Sequence, residues 1–158
     1  VAFKTRHFVM SAVLLLGPGA GMASAATPSC RAQAPADLDA SPTHWLGACG
    51  SGAAEGLGVL RGGAGRPYAF FVGRMQAGRP TDGLLMLRAG GWMLAVRFDA
   101  RLRVVSSDGI HPEEDDRVFA QARAAALETA AIFRRAGNGS SADYYSRLAQ
   151  RIVDDRPE

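Results

Sequence analysis

Lysine is all but missing. Lys4 is the only one, and histidine occurs three times, at His7, His44 and His111. A phosphate-binding P-loop needs Gly-x-x-x-x-Gly-Lys followed by Ser or Thr. The run Gly62-Gly63-Ala64-Gly65-Arg66-Pro67 has no lysine to complete one, and Gly56-x-Gly58 lacks the third glycine of a dinucleotide fingerprint. The first therefore reads as a hairpin connector and the second as part of a strand. Cysteine is scarce too, at Cys30 and Cys49 alone. A structural zinc site takes four ligands, and only His44 lies near the two thiols in sequence, so no metal and no cofactor is expected. No stretch of about 20 apolar residues is present, as a transmembrane helix would need. Glu55 has no second acid placed beside it, so the sequence supports no paired-carboxylate hydrolase. His44 and His111 sit in no nucleophile elbow and no metal motif. The excess of one charge sign is small: 18 basic residues against 15 acidic give a formal charge of +3. A nucleic-acid partner is not supported.

What is present begins with Lys4, Arg6 and His7, an apolar run from Phe8 to Leu16, and the small residues Ala23-Ser24-Ala25. These are the three parts of a secretory signal. Residues 1–25 are expected to be a signal peptide cleaved near Ala25, and the mature protein to be periplasmic or secreted. Residues 26–43 carry Pro28, Pro35 and Pro42 among small residues and read as an extended arm. In an exported chain the two cysteines are expected to pair, Cys30 with Cys49. A metal pair completed by His44, or a reactive thiol, is the alternative.

The central stretch contains one pattern twice. Trp45, Gly47 and Gly52 recur as Phe71, Gly73 and Gly78 at one constant offset, in the range of stacked supersecondary units. Side chains alternate across a strand, so Trp45, Gly47 and Cys49 share a face. Gly50-Ser51-Gly52 supplies a turn. A return strand from Gly56 is expected to set Cys49 near Gly56, Gly47 near Gly58 and Trp45 near Leu60. Glycine opposite glycine opens a slot in which an aromatic ring from a neighbouring unit lies flat. The second unit lines up Phe71, Gly73 and Met75 and returns through Gly83, Leu85 and Leu87, with a turn expected to be one residue longer.

The pattern Trp45-x-Gly47-x-Cys49-x-x-Gly52-x-x-x-Gly56-x-Gly58 resembles a MORN repeat. Phe71 to Gly83 resembles a second copy, with an inserted residue and without the second return glycine. Cys49 and Met75 stand where that family has its second aromatic. The resemblance covers residues 45–87. It implies β-hairpins stacked edge to edge, and a binding or scaffolding role.

Beyond Gly90-Gly91, the alternation of Trp92, Leu94, Val96 and Phe98 with Met93, Ala95 and Arg97 predicts a third hairpin. A three-residue loop from Asp99 to Arg101 keeps cross-strand partners on one face. It pairs Phe98 with Leu102 and Val96 with Val104, and sets Arg97 opposite Arg103, either simply solvated or as an anion or glycan site. Pro112 with Glu113, Glu114, Asp115 and Asp116 opens a helix. This helix is expected to reach about Arg135, burying Val118, Ala122, Ala125, Thr129 and Ile132 with Phe119, Ala126, Ala130 and Phe133 beside them, and to contact Trp92, Leu94, Val96 or Phe98. After Gly137-Asn138-Gly139 a second helix, capped by Ser140 or Ser141, turns Tyr144, Tyr145, Leu148 and Ile152 inward.

The expected fold is α+β: an antiparallel hairpin meander over residues 44–108, covered on one face by two helices within residues 109–158. The expected function is a small exported binding or assembly module that contacts a protein, peptide or envelope component through its sheet. An exported hydrolase of a glycan or lipid, with Glu55 or His44 at its site, or an inhibitor of a secreted hydrolase, is the alternative. The candidate binding residues are Arg97, Arg103, Glu55 and His44.

Overall fold

The computed structural model describes residues 30–154 and Arg156. The expected signal peptide and the first residues of the arm lie outside them. The elements are β1 (Thr43–Trp45), β2 (Ala48–Gly50), β3 (Ala53–Gly62), β4 (Ala69–Gln76), β5 (Arg79–Met86), β6 (Trp92–Ala95), β7 (Arg97–Phe98), β8 (Val104–Val105), α1 (Pro112–Arg135) and α2 (Gly139–Asp154). The fold is α+β. The six strands β1 to β6 form one antiparallel sheet, in which β1 and β2 share an edge of β3 and the rest run in chain order; β7 and β8 form a separate ribbon. No helix among the described residues is long and apolar enough to cross a membrane.

The two central hairpins share one construction. Each turns through two residues of positive φ, Ser51 and Gly52 in the first, Ala77 and Gly78 in the second. That is the backbone a tight hairpin needs to match strand twist. The turns are thus equal in length, contrary to the expectation of a longer second one. The difference lies in the return strands. In the first hairpin Trp45 pairs with Leu60, but Cys49 pairs with Ala54 and not with Gly56, because the ladder slips at Gly56-Leu57. In the second, a one-residue bulge at Thr81 separates the pair Arg74–Asp82 from Met75–Pro80. A bulge absorbs the extra residue while the faces on either side keep their sense.

Between bulge and strand end, glycine meets glycine as expected. A Cβ on Gly58 would meet the Cα of Gly47 at 2.8 Å and the Trp45 ring at 2.7 Å. A Cβ on Gly83 would meet the Cα of Gly73 and the Phe71 ring, both at 2.8 Å. The ring over each pair comes from the same hairpin, two residues upstream, and not from the neighbouring unit. The strand pleat puts residues i and i+2 on one face, so an aromatic followed by x-Gly folds its ring over its own glycine.

The sheet has two covered faces. On one, Val59, Phe70, Val72, Leu84 and Leu94 pack against Val118, Phe119, Ala122, Ala125, Ala126 and Ala130 of α1 and Tyr145, Leu148 and Ile152 of α2. The alanines keep α1 close to the strands. Trp92 meets Phe119 edge-on at 5.3 Å between ring centroids. Arg117 on α1 pairs at 2.5 Å with Asp82 on β5, which is only 7% exposed. Partnering is what makes burial of that carboxylate tolerable. The helix faces are those the sequence predicts except at their margins, where Ile132 and Phe133 on α1 and Tyr144 on α2 are only half-buried. The cap of α2 differs: Asn138, not Ser140 or Ser141, accepts the Ser141 N–H at 3.0 Å.

On the other face, Leu60, Phe71, Met75, Leu85 and Ala95 are closed over by Leu38, Ala32, Ala34 and Ala40 of the arm and by Phe98 and Val104. Phe98 therefore belongs to this face, edge-on to Phe71 at 5.7 Å between ring centroids, and not to the helix-covered one. The chain bends at Val96, and the ribbon β7–β8 folds over. Its register is Arg97 opposite Val105 and Phe98 opposite Val104. The predicted pairs Phe98–Leu102, Val96–Val104 and Arg97–Arg103 do not form. Asp99 is the reason: its carboxylate accepts the N–H groups of Arg101 and Arg103, both at 2.8 Å, and holds a longer loop.

The arm is laced to the sheet. Its Arg31 N–H donates to Gly52 O at 3.0 Å, its Gln33 N–H to Gly78 O at 2.8 Å and its Ala36 N–H to Leu102 O at 2.9 Å. Cys30 and Cys49 form a disulfide with Cα atoms 5.7 Å apart. The thiols are thereby spent, and the zinc set with His44 is not formed.

Candidate functional site

The four residues named from sequence lie on different elements. His44 is exposed on β1, opposite Arg61. Glu55 is exposed at the other end of β3, where its Oε2 accepts the Ala77 N–H at 2.9 Å and ties the second hairpin's turn to the first. Arg97 and Arg103 are exposed on the ribbon and its loop. None of the four lines the cavities described next. Among the described residues no group of three or more His, Cys, Asp or Glu is placed to hold a metal ion.

A different set of residues converges where the β3–β4 loop meets the start of α2. Alternation along β3 puts Val59 and Arg61 on the helix side. The loop brings Arg66 and Tyr68 to the same end, and α2 presents Ser140, Ser141, Tyr144 and Tyr145. Together they line a recess of about 180 Å³. It shares Arg66, Tyr68 and Tyr144 with a groove of about 520 Å³, whose floor is Pro67, Phe70, Met86 and Leu87 and whose far rim carries Arg151.

The recess and groove are held by rings. Arg61 lies 4.8 Å over the Tyr68 centroid. Arg66 and Arg151 lie 5.7 Å and 6.0 Å from the centroid of Tyr144. A guanidinium over an aromatic face is attracted by the ring quadrupole. Tyr144 meets Tyr145 edge-on at 5.2 Å, and Tyr145 stacks on Phe133 at 5.5 Å. Burial pushes the Tyr145 phenol up to about 12, against a smaller opposing pull from Arg61. It stays a neutral hydroxyl at physiological pH.

The charges here do not balance. No carboxylate lines either cavity, and among the described residues none of Arg61, Arg66 and Arg151 is in an ion pair. The Arg61 Nε is buried without a hydrogen-bond partner. A buried donor left unpaired costs free energy. The geometry thus offers three cations, hydroxyl donors and an apolar shelf, and no nucleophile–base pair.

A second groove, of about 660 Å³, lies between Trp92, Leu94, Pro112, Asp115, Phe119 and Arg156. There Arg156 is paired with Asp116 and lies over Phe119. Its cation is answered from within.

Sequence reasoning missed the arginine–tyrosine recess. The glycine-rich run read as a connector, which it is, and Tyr144 and Tyr145 read as an apolar helix face. The available signal was the clustering of Arg61, Arg66 and Tyr68 around the loop; nothing along the chain says that α2 returns to them. No protein-family model matches the chain, and neither a curated protein nor a solved structure does.

Proposed function

We propose that the protein is a small exported binding or assembly module that takes its partner, a protein, peptide or envelope component, at the arginine–tyrosine recess. The observation that carries this reading is the set of three guanidiniums without a carboxylate, Arg61 and Arg66 at the recess and Arg151 on the rim of its groove, on walls of tyrosine. Arginine and tyrosine are, with tryptophan, the side chains enriched at the energetic centres of interfaces. Contact through an open sheet face is not favoured, since helices fill one face and the arm the other. The Cys30–Cys49 disulfide supports residence in an oxidising compartment, and the N-terminal pattern of basic, apolar and small residues supports export to the periplasm or beyond. The resemblance of the hairpins to MORN repeats supports binding over catalysis.

The test is affinity capture from the cell envelope with the mature protein and with Arg66→Glu. Recovery of one component at fixed ratio by the parent, lost with the variant, is the expected result. Equal recovery by both overturns the recess as the contact. Recovery of nothing by the parent overturns the binding reading.

A further inference from the structure

We infer that the recess and its groove form a two-part receptor for a phosphate ester carried on a ring, the phosphate in the recess and the ring on the shelf. This rests on the binding-module reading and names the chemistry that the module recognises.

The recess is built for a tetrahedral oxyanion. Arg61 at the end of β3 and Arg66 in the loop both line it, so two guanidiniums border it from different elements. Guanidinium forks match phosphate oxygens in pairs. The Arg61 Nε is buried and has no partner, so the residue meets a ligand through its terminal nitrogens. Ser140 and Ser141 add hydroxyls, and they sit in the first turn of α2. The first N–H groups of a helix lack intrahelical acceptors. Asn138 takes those of Ser141 and Ala142, which leaves Gly139 and Ser140 outside the cap. The positive end of a 16-residue helix is thus added to the arginine pair. So many donors from several directions suit an anion with three acceptor oxygens better than a carboxylate with two.

The groove is built for a ring that can lay one apolar face against it. Its floor of Pro67, Phe70, Met86 and Leu87 is apolar, and Tyr68 and Tyr144 stand at the junction with the recess. At about 520 Å³ it falls within the range that small-ligand sites occupy. Arg151 at its rim leaves room for a second acceptor on the ring. This is not a P-loop: the phosphate is held by side chains and a helix end, not by a glycine-rich loop wrapped around it.

The experiment titrates the mature protein with inorganic phosphate, phenyl phosphate, glucose 1-phosphate and phenol. Calorimetry gives affinity, and backbone amide shifts of Arg66, Ser140 and Ser141 give location. Both esters are expected to shift those amides and to bind about tenfold or more tighter than inorganic phosphate, with phenol not binding. The better ester separates an aryl from a sugar source. Arg66→Gln is expected to weaken the better ester by about tenfold or more while keeping the parent's melting temperature, since Arg66 is exposed. Esters that leave the amides unmoved, esters that bind no tighter than inorganic phosphate, or an Arg66→Gln variant with parental affinity each overturn the inference. If the esters fail while envelope capture still depends on Arg66, the ligand class falls and the module reading stands. If the esters bind while capture recovers nothing, the partner reading falls and the receptor stands.

Discussion

Gly73 stands directly opposite Gly83, so close that a Cβ on Gly73 would lie 2.7 Å from the Cα of Gly83. The same relation joins Gly47 and Gly58 in the first hairpin. The obstacle differs between the two. At Gly47 the nearest atoms belong to the Trp45 ring, a side chain that has some freedom to move; at Gly73 they include backbone of β5. Gly47→Val is expected to destabilise by about 1–3 kcal/mol, an overpacking cost. Gly73→Ala is expected to cost more than Gly47→Ala. Thermal melts rank them, and a Gly73→Ala melt equal to the parent removes the slot as a constraint.

The face of Val59, Val72, Leu84 and Leu94 is hidden only by the helices. A chain ending at Gly109 exposes it. Such a chain is expected to aggregate or to bind a hydrophobic dye, as large contiguous apolar patches do. A folded, monomeric truncation in a sedimentation experiment refutes the dependence on α1.

The disulfide closes a loop of sequence separation 19. Constraint of the unfolded chain by a loop of that size contributes about 3 kcal/mol. Replacing both cysteines with serine is expected to lower stability by about that amount, read from denaturant midpoints together with the slope, which rises as the unfolded chain expands. Equal midpoints for variant and parent show that the hydrogen bonds of the arm suffice without the bond.

Tyr145 sets an alkaline limit. Its phenol is raised to about 12 by burial, while an unfolded tyrosine titrates near 10. A group with a raised folded pKa contributes stability that is whole below the unfolded value and lost as pH rises through the folded one. Stability is therefore expected to fall between about pH 10 and pH 12 for this reason. Tyr145→Phe removes that part of the slope. Parallel curves for variant and parent over this window sink the assignment.

The sequence disclosed what is local. Trp45-x-Gly47 and Phe71-x-Gly73 are legible because a ring folds over a glycine two residues away, and α1 is legible because its alanine stripe repeats at helical period. The bulge at Gly56-Leu57 was not legible, since a register slip leaves both flanking faces intact. The register of the ribbon is not legible either, because one carboxylate, that of Asp99, holds two backbone N–H groups and lengthens the loop. The recess was the hardest to see. Arg61 and Tyr144 are joined only by α1 doubling back through α2, so their meeting is a property of helix packing and leaves no mark in the spacing of either residue.

The order of the sheet governs its kinetics. Past the first hairpin, β3 pairs with β4, β4 with β5 and β5 with β6, each with its successor in the chain. Closure entropy grows with loop length, so the sheet zips hairpin by hairpin at little cost. The distant contacts are made by the ends: the arm reaches from Ala36 to Leu102, and α1 reaches back to β3. Contacts of long sequence separation are the slow ones. The helices are therefore expected to join the sheet after its hairpins have formed, and amide exchange is expected to be faster in α2 than in β4, which lies between β3 and β5 with both faces covered.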